Sequence, residues 1–177
     1  DVIAEMGAYM GHYSLYLSEK IGVNGKLIAI EPMPDNLRIL KKNIVANNIK
    51  NTIIVPLGIW KEKALLSFSR EKNDTQSGSV FLTHHDEEIM ELSVDTLDNI
   101  LSEQKIKEIN FMIVQLNGVE IEALEGMKEF TPNNLSIAAR YSKKGKSAVD
   151  IISGKLSLRG YQIHIRDKNF LYANWKG

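Results

Sequence analysis

The chain is predicted to fold as a doubly wound α/β domain, a mostly parallel sheet wrapped by helices. Three observations predict it. Short β-rich runs alternate with amphipathic segments of about three turns. The first run, "VIAEM", ends at two glycines four residues apart, Gly7 and Gly11, just before a helix-like pattern. The second, "KLIAIE", holds the apolar run Leu27 to Ile30 closed by an acid, Glu31, as in a buried strand.

The elements follow in order. Val2 to Met6 reads as a strand and Gly11 to Ile21 as a helix with Tyr13, Leu17 and Ile21 on one face. Lys26 to Glu31 is the second strand. A helix from Asp35 to Asn47 is entered through Pro32 and Pro34 and stopped near Asn47 and Asn48. "NTIIVP", Asn51 to Pro56, is the third strand, and Ala64 to Ser69 alternates apolar with small or polar residues, as in an extra strand or hairpin arm. Arg70 to Glu88 has no sustained period and holds "EKNDTQSGS", so a long loop is expected there. The second half predicts a helix over Asp95 to Ser102, the strand "INFMIVQ", a helix over Glu120 to Phe130, the strand "NLSIAAR" and a helix over Ser147 to Leu158. "YQIHIR" and "FLYANW" close the chain as a hairpin turning at Asp167 to Asn169, with His164 a structural residue of its strand.

Composition sets limits on function. The 177 residues fit one domain from Asp1 to Gly177, with 44% hydrophobic and 25% charged residues. Twenty-two basic residues balance 22 acidic ones, which gives no electrostatic case for nucleic acid or an anionic membrane surface. With no cysteine there are no disulfides or thiolate metal sites, and no apolar stretch is long enough to span a bilayer. A cytoplasmic protein is expected. The chain starts at Asp1, without a methionine, and enters a strand almost at once, so an N-terminal segment is expected to precede it. No metal site is expected either: His84 and His85, in "THHDEE", read as part of a solvated loop.

In a doubly wound sheet, ligands bind beyond the carboxyl ends of the strands, where the first strand turns into the first helix. Gly7 and Gly11 sit at that turn. Their spacing, G-A-Y-M-G, lacks the G-x-G-x-x-G that wraps a pyrophosphate, so a phosphate-free nucleoside fits better. Glu31, at the end of the second strand, is placed to accept hydrogen bonds from both ribose hydroxyls. Glu5, at the end of the first, adds a carboxylate for a cationic ligand group. Two acids and two glycines around an unphosphorylated nucleoside suggest S-adenosylmethionine, which carries a sulfonium and an ammonium.

Five collinear blocks, "DVIAEMGAYMGHYSLYLSEKIG", "IAIEPMPDNLRILKKNIVANNI", "LGIWKEKALLSFS", "SVDTLDNIL" and "INFMIVQLNGVEIEALEGM", resemble the FkbM family of S-adenosylmethionine-dependent methyltransferases. The resemblance implies a class I methyltransferase, Rossmann-like fold with a seven-stranded sheet whose last strand is antiparallel. It also implies O-methylation of a hydroxyl on a small molecule or carbohydrate. Glu5, Gly7, Ala8 and Gly11 fall in the cofactor loop, Glu31 matches the ribose-binding acid, and Trp60 lies where adenine would pack. Asp74 to Val80, "DTQSGSV", resembles the family's Ser/Gly loop near the active site.

The departures are specific. Where the family usually reads Asp-x-Glu-Gly after the fourth strand, this chain has Gln115, Leu116, Asn117 and Gly118; Tyr9 replaces a usual Asn, and the fifth strand ends in "AAR" where an acid is common. Gln115 is expected against the methionine half of the cofactor and Asn117 near the acceptor. Neither amide can take a proton from an alcohol, so the candidate bases are His12 and Glu120. Three readings follow: an active O-methyltransferase, a catalytically impaired homologue that binds cofactor or a partner, and an unrelated nucleotide-binding α/β module.

Overall fold

A computed structural model describes residues 1–71, 87–143 and 145–177. The first half runs β1 (Val2–Met6), α1 (His12–Ile21), β2 (Lys26–Ile30), α2 (Pro34–Ala46), β3 (Thr52–Val55), β4 (Gly58–Ile59), β5 (Ala64–Glu71) and β6 (Glu87–Asp95). The second runs α3 (Leu97–Glu103), β7 (Phe111–Gln115), α4 (Glu120–Glu125), β8 (Asn134–Ala138), β9 (Ser142–Lys143), β10 (Lys146–Ser147), α5 (Ala148–Leu158), β11 (Tyr161–Asp167) and β12 (Phe170–Trp175).

The main sheet has seven strands in the order β11-β12-β8-β7-β1-β2-β3. Pairings from β8 through to β3 are parallel, and β12 alone runs antiparallel to both its neighbours, β8 and β11. This is the doubly wound, seven-stranded sheet with an antiparallel last strand that the sequence predicts. β1, β2 and β7 lie centrally, and their residues Ala4, Met6, Ile28, Ile30, Met112 and Val114 form one continuous core with α3, α4 and α5. A second face packs Ala8 and Ala29 against Leu37, Leu40 and Ile44 of α2.

Several elements differ from expectation, each for a physical reason. The α1 face turned inward is Ser14, Leu17 and Ser18, whereas Tyr13 is 52% exposed. Ser14 is drawn in because its hydroxyl donates to the buried Glu5 carboxylate at 2.5 Å. α4 stops at Glu125, five residues before the predicted end. Past it, the Asp98 carboxylate accepts from the amides of Lys128, Glu129 and Phe130, and Arg159 donates to the carbonyls of Met127 and Phe130. Those groups serve tertiary contacts that a longer helix would use internally. At both ends the expected loop Arg70 to Glu88 is strand. β5 and β6 pair antiparallel from Ala64↔Val94 to Glu71↔Glu87 and join β4 in a separate three-stranded sheet. The segments "DTQSGSV" and "THHDEE", with His84 and His85, lie outside the described residues or at their margin. Among the described residues, no helix is long and apolar enough to cross a membrane.

Candidate active site

A cleft of about 530 Å³ opens beyond the carboxyl ends of β1, β2, β7 and β8. Sheet order lays out its floor. From one end to the other come Glu31 after β2, Gly7 after β1, Gln115 at the end of β7, and Ala138, Arg140 and Tyr141 at and after β8. The small sheet supplies an apolar wall of Leu66, Phe68, Leu92 and Val94, and Leu57 to Trp60 close the β2 end. That wall follows from register: Leu66 pairs with Leu92 and Ala64 with Val94, so alternate residues of both strands face the cleft together.

Glu31 is fixed before any ligand arrives. Its carboxylate accepts from Tyr9 N at 2.9 Å on Oε2, and from Met33 N at 3.0 Å and Asn36 Nδ2 at 3.1 Å on Oε1. Only 5% of the residue is exposed, and burial raises its pKa against the opposing pull of those hydrogen bonds. A carboxylate offers about four acceptor positions, and three are taken, which leaves one on Oε2. The expectation that Glu31 alone serves both ribose hydroxyls is therefore too generous. Beside it, Asn36 lines the cleft, is 3% exposed, and carries a buried Oδ1 with no hydrogen-bond partner among the described residues. Asn36 escaped sequence reading because it sits in the first turn of a helix, where an Asn reads as an ordinary end-of-helix residue.

The β1 turn is tightly constrained. Gly7 N and Ala8 N both donate to the Ile30 carbonyl at 3.0 Å, and Gly7 (φ 87°), Tyr9 (φ 53°) and Gly11 (φ 91°) all adopt left-handed backbone. For Tyr9 that conformation is uncommon. Its ring stacks on His12 with centroids 6.0 Å apart, and both residues line the cleft. Glu5, Ala8 and Gly11, expected at the cofactor, stand behind the turn and do not line the cleft. Glu5 is 2% exposed and faces Ser14; burial, reinforced by the charge of Glu31 and opposed by the Ser14 hydrogen bond, pushes its pKa up to about 7. Glu5 thus stands apart from the cleft, with Ser14 as its side-chain partner.

The turn after β7 is built around Glu120. Its Oε1 accepts from Leu116 N at 3.3 Å and Gly118 N at 3.1 Å, and Oε2 from Gly118 N at 3.2 Å. Burial raises the Glu120 pKa, while those amides and the charge of Arg140 oppose the rise. Glu120 thus holds the loop that presents Asn117, which adopts left-handed backbone (φ 52°), as does Gly118 (φ 105°). Of the expected residues, the fold gathers Gly7, His12, Glu31, Trp60, Gln115, Asn117 and Glu120 around one cleft. Arg140 and Tyr141 join them without having been singled out as site residues.

The chain matches the model of the Methyltransferase FkbM domain over residues 5–163. No curated protein matches it in sequence. Among solved structures, it is similar to the O-methyltransferase TomG from Streptomyces achromogenes, in complex with SAM, with 12% identity, TM-score 0.59, and 99% of this chain and 73% of that one covered. It is also similar to an rRNA methylase from Streptococcus thermophilus, with 14% identity, TM-score 0.57, and 99% and 87% covered. Precorrin-6y C5,15-methyltransferase from Geobacter metallireducens aligns with 11% identity, TM-score 0.55, and 99% and 80% covered. Likeness at these identities is likeness of fold, and the fold is the class I methyltransferase sheet. With its family model matched over most of its length on that sheet, the chain belongs to the FkbM family of S-adenosylmethionine-dependent methyltransferases.

Proposed function

We propose that this chain is an O-methyltransferase that methylates a hydroxyl group of a small molecule or sugar. The observation that carries the proposal is the pair of buried acceptors at the β2 end of the cleft: among the described residues, the Glu31 carboxylate keeps one position open and Asn36 Oδ1 has no hydrogen-bond partner. A ribose diol presents two hydroxyl donors, and one to each acceptor satisfies both. Trp60 and the apolar wall flank a space suited to adenine, and Gln115 stands where the methionine half would lie. When bound, S-adenosylmethionine supplies a methyl group activated by a sulfonium. The chain's own part is to hold an acceptor oxygen in line with it and to receive the hydroxyl proton. His12 fits the second task best, since it lines the cleft and is exposed, while Glu120 is committed to backbone amides. The equal numbers of acidic and basic residues favour a small acceptor over the rRNA of the Streptococcus thermophilus relative, and a cytoplasmic location belongs to the same proposal.

One observation favours a second reading, an impaired homologue that binds cofactor without turnover: Gln115 and Asn117, both lining the cleft, are amides. Binding tests both readings against an unrelated nucleotide-binding module. Trp60 lines the cleft and Trp175 packs 5.3 Å from Tyr161 in the terminal hairpin, so in a Trp175→Phe protein the remaining fluorescence reports the cleft. Saturable change with S-adenosylmethionine or S-adenosylhomocysteine, and none with NAD, is expected. Saturation by NAD alone would overturn the proposal.

A further inference from the structure

We infer that the methyl acceptor carries an anionic group, a carboxylate or phosphate, and that Arg140 is the residue that selects it. The inference rests on the proposed methyltransferase reading and names the substrate class of that same site.

Position comes first. Glu31 and Trp60 mark the β2 end of the cleft and Arg140 the β8 end, with β1 and β7 between them. A cofactor with its ribose at Glu31 and its methionine half near Gln115 leaves the β8 end for the acceptor. Arg140 and Tyr141 line that end together with Asn117.

Charge comes next. Arg140 forms no ion pair among the described residues. Glu120, the carboxylate on which the Arg140 charge acts, is 2% exposed and turned to the Leu116 and Gly118 amides. The other polar groups at this end, Gln115 and Asn117, are neutral. Among the described residues, the guanidinium therefore faces a cleft end whose one carboxylate, Glu120, is turned to backbone amides. The strand's continuation, "RYSKKGK", holds four basic residues and no acid in seven positions, in a chain whose overall charge is zero.

The Arg140 guanidinium carbon lies 5.9 Å from the centroid of the Phe170 ring on β12. A guanidinium braced by an aromatic ring keeps its N–H edges for planar, bidentate acceptors, which carboxylate and phosphate supply and a neutral hydroxyl does not. The backbone here is held too: Ala139 N donates to Asn169 O at 2.8 Å, and Ala148 N to Tyr141 O at 3.1 Å.

The test uses the full chain saturated with S-adenosylhomocysteine, titrated calorimetrically with three matched probes: glucose, glucuronate and glucose 6-phosphate. Cofactor binding is read first in the same cell. The expected result is that at least one anionic probe binds about tenfold or more tighter than glucose, that Arg140→Gln abolishes the difference, and that Arg140→Lys restores only part of it. The tighter of the two anions identifies the group. Equal binding of glucose and both anions, or an anion preference that survives Arg140→Gln in a protein that still binds cofactor, overturns the inference and leaves the methyltransferase reading standing. Failure of the unmodified chain to bind cofactor overturns both. Competition by a short RNA oligonucleotide at lower concentration than either sugar anion would assign Arg140 to a polymer and overturn the small-molecule acceptor.

Discussion

A β-carbon placed on Gly7 would overlap the backbone carbonyl oxygen of Gln115 on the neighbouring strand. This contact changes the reason for the glycine. The sequence suggests a glycine that clears space for a ligand, and Gly7 does line the cleft, but the closer neighbour is the β7 backbone. The β1 turn and the β7 end thus touch through main chain, and Gln115 is locked to the turn that holds Gly7. Rotating a side chain cannot relieve such a contact.

Gly7→Ala should therefore damage the fold before it damages binding. The positive φ alone costs a non-glycine residue on the order of 1 kcal/mol, and the carbonyl overlap forces backbone to move, so a loss on the order of 3 kcal/mol or more is expected in urea unfolding. A loss under about 1 kcal/mol would show that the two strands separate easily.

At the β2 end, Glu31→Gln and Asn36→Leu are expected to weaken S-adenosylhomocysteine binding by at least about tenfold each, equivalent to roughly 1.4 kcal/mol. The two residues share a hydrogen bond, so the double variant should lose less than the product of the single effects. Calorimetry on variants with cooperative thermal transitions checks this. An unchanged dissociation constant for Asn36→Leu would remove Asn36 from the ribose site.

The legible and illegible parts of this molecule divide along a physical line. β1, β2 and β7 are largely buried on both faces, and a strand in that position is mostly apolar, so "VIAEM", "KLIAI" and "FMIVQ" are readable despite Glu5, Lys26 and Gln115. β6, "EEIMELSVD", is not. It belongs to a small sheet with Ile89 69% exposed, and its acids mask the alternation that turns Leu92 and Val94 to the cleft. The site divides the same way. Glu31 and Gly7 are announced by local turn chemistry, whereas Arg140 gains meaning only when β8 is set beside β7 and Phe170 beneath it. Asn36 becomes visible only because its buried Oδ1 has no hydrogen-bond partner among the described residues.

Glu5 gives the chain a dependence on pH. Its folded pKa is about 7 against an ordinary 4.5, with burial the main cause. Below about pH 4.5 both folded and unfolded chains hold the proton. Between there and about pH 7 the folded chain binds it more tightly, so stability falls as pH rises through this window and levels above it. The Glu31 and Glu120 shifts have the same sign. Glu5→Gln removes one contribution. Its unfolding free energy relative to the natural chain should rise between about pH 4.5 and pH 8 by up to about 3 kcal/mol. Denaturant titrations at four pH values measure it. A constant difference across the window would mean that the Glu5 carboxyl is not perturbed by its burial.

The last prediction separates the active enzyme from the impaired homologue. Methyl transfer is measured with radiolabelled S-adenosylmethionine against a panel of neutral sugars, hydroxy acids and sugar phosphates. If the natural chain turns over, His12→Gln should lower the rate by about 10²-fold or more at saturating cofactor, the effect of losing a positioned base. Asn117, which lines the cleft, is a site at which to introduce a carboxylate. Its left-handed backbone (φ 52°) suits Asn and Asp and strains a longer side chain, so Asn117→Asp is the substitution the loop accepts. Turnover in Asn117→Asp and none in the natural chain would establish an impaired homologue with its cofactor site intact. Turnover in the natural chain that survives His12→Gln would leave the imidazole as the stacking partner of Tyr9 alone, and would return the search for a base to Glu120, whose carboxylate would first have to release the amides of Leu116 and Gly118.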